Sequence, residues 1–180
     1  MVNAKGSLEL VSIVVPVYNR RALLTRALES IQAQTYGQWE AIVVDDGSSD
    51  GSAEVAREFC KGDERFRFVR LETNGGANRA RNRGIEAARG EWVAFLDSDD
   101  VYLPGRLAAH EELWASLPKE RRARTGVVYG WIRMVGNACG EWEFRPEAEG
   151  EVYDNLLRAH LGRTPTITVR RELLRDVGGF

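Results

Sequence analysis

The run Trp92-Val93-Ala94-Phe95-Leu96 leads without a break into Asp97-Ser98-Asp99-Asp100. Five apolar residues in succession, with no polar alternation, fit a strand buried on both faces, as in a parallel sheet covered by helices on each side. Such a strand ends at the carboxyl edge of the sheet, where open α/β folds bind their ligands. Carboxylates crowded at one point repel one another unless a cation neutralises them. Asp97 and Asp99 can address one hard divalent ion and the phosphates it carries. Mg²⁺ is commonly held by one or two carboxylates plus substrate phosphate oxygens, and Mn²⁺ suits the same ligands. A second reading stays open: a polar turn leading into a helix that begins near Pro104, since Asp and Ser favour caps and turns.

The rest of the chain supplies the sheet. Val11–Val17 is a β-branched run and reads as the first buried strand. Pro16 cannot donate to a ladder and is expected to mark the strand's end or an irregularity near it. A helix over Arg21–Gln34 places Leu23, Leu24, Ala27, Leu28 and Ile31 on one face. Trp39–Val44 is a second strand. It ends in Asp45-Asp46-Gly47-Ser48-Ser49-Asp50-Gly51-Ser52, ahead of a helix over Ala53–Cys60. Phe66–Leu71 is a weaker strand, and Asn74-Gly75-Gly76 turns into a helix over Ala77–Ala88. With the strand at Trp92–Leu96 the order is βαβαβαβ, which implies parallel pairing, right-handed crossovers and helices on both faces. After it come a helix from Pro104 to Leu117, a loop over Pro118–Thr125, and a strand over Gly126–Gly130. A hairpin of Trp131–Val135 with Glu141–Phe144 follows, then a helix over Glu151–Leu161, a short strand at Thr166–Val169 and a short helix at Arg171–Val177. The fold class is α/β: a mostly parallel, Rossmann-like sheet with a small antiparallel addition in the C-terminal third. Residues 1–180 read as one domain, with 11–100 as its nucleotide-binding half. Gly178-Gly179-Phe180 reads as a turn leading onward, so the domain is expected to continue beyond it.

Composition excludes several classes. A net charge of -2 gives no electrostatic footprint for nucleic acid. Cys60 and Cys139 form neither a disulfide framework nor a metal-ligand spacing, so reduced cytosolic thiols are expected. No apolar run reaches membrane-spanning length. A cytoplasmic location is expected, with peripheral association at the cytoplasmic face of a membrane left open. There is no GxxxxGK[ST] and no GxGxxG after the first strand, which removes the P-loop and Rossmann-type dinucleotide binding. An Asp-x-Asp after an apolar strand also occurs in haloacid-dehalogenase phosphatases, but there it comes early in the chain, and here it follows the fourth strand. His110 and His160 are isolated, with no nucleophile beside them, and read as surface or core residues.

Three strand ends carry unusual polar groups: Pro16-Val17-Tyr18-Asn19, Asp45-Asp46-Gly47-Ser48 and Asp97-Ser98-Asp99-Asp100. In a parallel sheet all three lie on one edge, around one crevice. A carboxylate at the second strand can accept from a nucleobase N–H or a ribose hydroxyl. A pair at the fourth can hold a metal on a diphosphate. The alternatives are that Asp45 and Asp50 cap the following helix and that Asn19 caps the first one. Arg79, Arg81 and Arg83 point about 200° apart from one to the next on a helix, so they cannot all face one site. One turned toward the crevice would pair with a diphosphate. Asn78 and Asn82 lie one turn apart and share a face.

These segments together resemble family 2 glycosyltransferases, which have the GT-A fold. The matching text is Val11–Asn19, Ile42–Gly51, Asn74–Ile85, Gly90–Asp100 and Val169–Phe180. The resemblance implies transfer of a sugar from a nucleotide-diphosphate donor, with UDP favoured, to a hydroxyl of a glycan or lipid-linked acceptor, inverting the anomeric centre and using Mn²⁺ or Mg²⁺. It implies that Pro16, Tyr18 and Asn19 border the nucleotide pocket, that Asp46 contacts the base, and that Arg81 lies near the base or phosphates. Ser98 belongs with them. Asp97 faces the ribose and the metal, and Asp99 is the direct metal ligand. Residues 101–180 begin the acceptor side, with contacts expected from Gly136–Gly140 and Glu147–Pro165. The family's catalytic base is an Asp or Glu on a segment after Gly-Gly-Phe. No residue of 1–180 matches it, so the base is expected after Phe180. Two readings follow: a glycosyltransferase catalytic domain, or a nucleotide-sugar binding module without turnover. A phosphatase, the third, would release phosphate without an acceptor.

Overall fold

The computed structural model describes residues 10–135, 141–145, 150 and 164–180. The expected helix at 151–161, the loop 136–140, Cys139, His160 and most of the expected acceptor region at 147–165 lie outside these described residues.

The elements are β1 Val11–Val17, α1 Arg21–Gln32, β2 Trp39–Asp45, α2 Ser52–Gly62, β3 Phe66–Arg70, α3 Ala77–Ala87 and β4 Trp92–Phe95. After these come α4 Arg106–Ser116, α5 Lys119–Arg124, β5 Val127–Tyr129, β6 Ile132–Met134, β7 Trp142–Phe144, β8 Ile167–Arg170 and α6 Arg171–Asp176. The main sheet has the order β3-β2-β1-β4-β8-β5, and β6 and β7 form a separate antiparallel pair. β1 to β4 are parallel, while β8 runs antiparallel to both β4 and β5. The α/β architecture read from the sequence is the one observed.

Both faces of the sheet are covered, which is why its central strands show no polar alternation. Ile13, Val15 and Val17 of β1 pack with Leu24, Leu28 and Ile31 of α1, Ala56 of α2 and Trp114 of α4. Val14 points the other way, into a cluster with Ile42, Val44, Ala80 and Ile85 of α3, and Leu174 of α6. On that face α3 lies very close to β1: a Cβ on Gly84 would stand 2.3 Å from a Val14 methyl. Only glycine allows this approach.

Pro16 is the next-to-last residue of β1, so it marks the strand's end as expected, and it stays paired with Val44 without an irregularity. Leu96 donates to the Val14 carbonyl, so residues of that parity turn their backbone groups toward β4. Pairing with β4 ends at Val14 opposite Phe95, so the missing N–H of Pro16 falls where no ladder partner is needed. The stretch Pro118–Thr125 is not a loop, because Lys119–Arg124 forms α5. None of its residues is buried, so it lacked apolar periodicity, but Lys, Glu, Arg and Ala are good helix formers.

The reversal at β8 sets up the site. β4 rises toward the carboxyl edge, so the antiparallel β8 starts at that edge and ends opposite Trp92. α6 then carries the chain back, and Phe180 packs its ring against Phe95 at the end of β4. The segment before β8 and the turn after α6 therefore both reach the edge where β1, β2 and β4 end. No helix among the described residues is long and apolar enough to cross a membrane.

Candidate active site

The loops after β1 and β2 are tied together before either meets a ligand. Asn19, in left-handed backbone with φ 50°, accepts from the Ser49 N–H at 2.9 Å, and its own N–H donates to Ser48 Oγ at 3.0 Å. Asn19 does not cap α1. That work falls to Asp50, whose Oδ2 accepts from the Arg21 N–H at 2.9 Å while Oδ1 takes the Ser52 N–H and hydroxyl. These bonds, the Arg21 N–H first, hold the Asp50 carboxyl below its usual range. Asp45 is fully buried and accepts from the Ser48 N–H, closing the turn after β2 rather than capping α2. Tyr18 is left 45% exposed at the rim.

Asp46 is 2% exposed. Its oxygens accept from the Gly75 N–H at 3.0 Å and the Gly76 N–H at 2.7 Å. It therefore anchors the glycine turn ahead of α3 to the end of β2. The sequence marked Asp46 as unusual but gave no sign of these partners.

The three arginines of α3 separate as helical geometry requires. Arg79 donates to the Thr73 carbonyl, Arg83 pairs with Glu86, and Arg81 turns to the crevice. Its Nη2 bonds Asp97 Oδ1 at 2.7 Å, its Nη1 bonds Asn78, and its Nε is buried without a partner. Here the crevice-facing arginine is matched to a carboxylate of the protein itself. The Asp97–Asp100 turn closes with the Asp100 N–H on the Asp97 carbonyl at 3.0 Å. Ser98 is buried in that turn and Asp99 is exposed. Asp97, Asp99 and Asp100 line a cleft of about 380 Å³ with Ile132, Met134, Thr164 and Pro165. Strand β6 and the entrance to β8 thus share the cleft with the acids.

Beneath the acidic turn lies a polar cluster the sequence did not reveal. The Tyr102 hydroxyl donates to the Phe95 carbonyl at 2.5 Å. Burial pushes its pKa up to about 12 against the pull of Arg106. The Arg106 guanidinium stacks 4.1 Å from the Tyr102 ring centroid and donates to the Ile167 carbonyl at 3.0 Å. His110 bonds Thr168 Oγ1 at 3.0 Å. Burial first, and the Arg106 charge second, push the His110 pKa down to about 3, so it is neutral. The sequence reading of His110 as core or surface resolves to core.

Among the described residues, no group of three or more His, Cys, Asp or Glu side chains could hold a metal on its own. What is present is a carboxylate with one oxygen engaged by Arg81, and an exposed carboxylate two residues on. Those hard oxygen donors fit an ion that brings phosphate oxygens with it, as Mg²⁺ and Mn²⁺ commonly do.

A mostly parallel α/β sheet with an acidic crevice at its carboxyl edge is the architecture of GT-A glycosyltransferases, and solved structures of that class match it. One is a mannosyltransferase from Pyrobaculum calidifontis in complex with GDP-Man and Mn²⁺. It matches with a TM-score of 0.67 and 25% identity over 94% of this chain and 47% of that one. Another is Staphylococcus aureus TarS 1-349 in complex with UDP-GlcNAc, with a TM-score of 0.69 and 26% identity over 93% of this chain and 47% of that one. The family model for glycosyl transferase family 2 matches residues 12–177, and the chain belongs to that family. It is also 34% identical over 163 residues to the putative teichuronic acid biosynthesis glycosyltransferase TuaG of Bacillus subtilis, covering 91% of this chain and 63% of that protein. The chain spans about half the length of the matched structures.

Proposed function

We propose that this chain binds a nucleotide-diphosphate sugar, UDP-linked by preference, along its carboxyl edge. Within the whole protein it serves inverting transfer of that sugar to a hydroxyl of a glycan or lipid-linked acceptor. The observation that carries the reading is the uneven treatment of two acids in one cleft: Asp97 is held by Arg81, and Asp99 is left facing solvent. The bound nucleotide sugars of the two structural neighbours support it.

Each residue has a part that its surroundings permit. Pro16, Tyr18 and Asn19 border the nucleotide, and the exposed Tyr18 ring offers it an apolar surface. Asp46 has lone pairs beyond those taken by Gly75 and Gly76, so it can still accept from a base N–H. Arg81 brings positive charge toward the phosphates while orienting Asp97 toward the ribose. Ser98 shapes the turn that presents Asp99. Asp99, with Asp97, would hold Mn²⁺ or Mg²⁺, and such an ion supplies charge stabilisation to a departing diphosphate.

Calorimetric titration of UDP with and without Mn²⁺, on the wild type and on Asp99→Ala, tests the reading. Metal-dependent binding that weakens by about tenfold or more in the variant is expected. Folded wild-type protein that takes up none of UDP, GDP or dTDP overturns it. A donor-binding module without turnover would give the same titration and fail only when acceptor is added.

A further inference from the structure

Asn82 faces the turn that follows α6. Its Oδ1 accepts from the Phe180 N–H at 2.9 Å, and its Nδ2 donates to the Phe180 carbonyl at 3.2 Å. One side-chain amide thus grips both backbone groups of a residue far away in sequence. The preceding residue fits this grip only as glycine: Gly179 has φ +83°, and a Cβ there would stand 2.4 Å from Asn82 Oδ1. Gly178 and Gly179 donate to the carbonyls of Arg175 and Leu174, so the turn is also fixed to α6.

The gripped residue reaches the acidic crevice. The Phe180 ring meets Phe95 edge to face, with centroids 5.1 Å apart at 85°. The Arg81 guanidinium lies 5.4 Å from the Phe180 ring centroid, within reach of a cation–π attraction. This is the guanidinium that bonds Asp97.

We propose that Asn82 is a positioning residue of the sugar-donor site: it latches the Gly179–Phe180 backbone, the latch seats the Phe180 ring, and the ring fixes Arg81 on Asp97. The inference rests on the reading of this edge as a nucleotide-sugar site. A long arginine side chain has many rotamers, and an aromatic face beside it narrows them to the one that serves Asp97. Groups that orient a metal-binding carboxylate act at one remove, and their loss commonly weakens metal or ligand binding by about ten- to a hundredfold.

The test is a binding cycle. UDP is titrated into the wild type, Asn82→Ala, Phe180→Ala and the double variant, in Mn²⁺ and again in EDTA, with melting curves to establish folding. Phe180→Leu, which keeps an apolar contact with Phe95 but removes the ring beside Arg81, replaces Phe180→Ala if the latter melts. Each single change is expected to weaken binding in Mn²⁺ about tenfold and binding in EDTA by clearly less, since Arg81 also faces the phosphates, with the double variant no weaker than either. Single variants at wild-type affinity overturn the inference. So do losses that multiply in the double variant, and so do losses of equal size with and without metal. A wild type that binds no nucleotide at all instead defeats the donor-site reading, and the latch proposal falls with it.

Discussion

Glu40 at the amino edge of the sheet and the Asp97–Asp99 turn at its carboxyl edge hold their carboxylates in opposite ways. At the amino edge Glu40 is 5% exposed, and its bonds are shared out. Oε1 accepts from the Ser12 hydroxyl and the Arg89 N–H, each at 2.7 Å, and Oε2 accepts from Arg67 at 3.1 Å. Ser12 in turn accepts from the Gly90 N–H at 2.8 Å. Burial alone would raise the Glu40 pKa, but the Arg89 N–H, Ser12 and Arg67 outweigh it and hold the carboxyl below its usual range. At the carboxyl edge Asp97 has one arginine and Asp99 is exposed. Glu40 is closed and knits β1, β2, β3 and the end of α3 together, whereas the acidic turn keeps acceptor capacity free.

That contrast breaks if the amino-edge acid proves dispensable. Glu40→Ala should cost about 3 kcal/mol in a denaturant or thermal melt, because it strands the Arg67 charge and the Arg89 N–H, while nucleotide affinity per folded molecule stays within about twofold. A melt like the wild type's would erase the distinction. The acid limb of the melt sharpens it. His110 has a folded pKa of about 3 against an ordinary 6.5. The unfolded chain therefore takes up a proton below about 6.5 that the folded chain refuses, and stability falls with pH by up to about 1.4 kcal/mol per unit, or about 2 kcal/mol by pH 5. His110→Gln should flatten that window. Glu40, with a depressed folded pKa, contributes stability that is present above 4.5 and lost only as pH falls through the folded value, so its limb begins lower. The smallest effect on stability belongs to Asp99→Ala, within about 0.5 kcal/mol of the wild type, since the side chain is exposed. A large loss there would mean that the acidic turn is structural after all.

Local patterns made much of this legible. Apolar runs marked β1, β2 and β4, a weaker and partly charged run marked β3, and the βαβ alternation put Asn19, Asp46 and Asp97 on one edge. What stayed hidden depends on partners distant in sequence. Thr166–Val169 read as a strand, but nothing in four residues states that it runs against β4. Asp46 stood out, yet its engagement by the Gly75 and Gly76 amides did not, because a carboxylate carries no mark of what it accepts from. Asn82 and the Gly-Gly-Phe turn were each visible, but not their meeting. α5 was missed because helix propensity without an apolar face leaves no periodic trace.

The late arrival of β8 has a consequence for how the chain is made. β4 ends at Phe95, and its outer neighbour, Ile167–Arg170, is translated on the order of ten seconds later at ordinary ribosomal rates. During that interval β1 to β3 can already pair, while the outer side of β4 presents bare N–H and C=O groups beside apolar residues, the kind of edge that invites pairing with another chain. The strand that carries the acidic turn is thus also the one most exposed to misassembly during synthesis, and the docking of β8 ends both its incompleteness and its hazard.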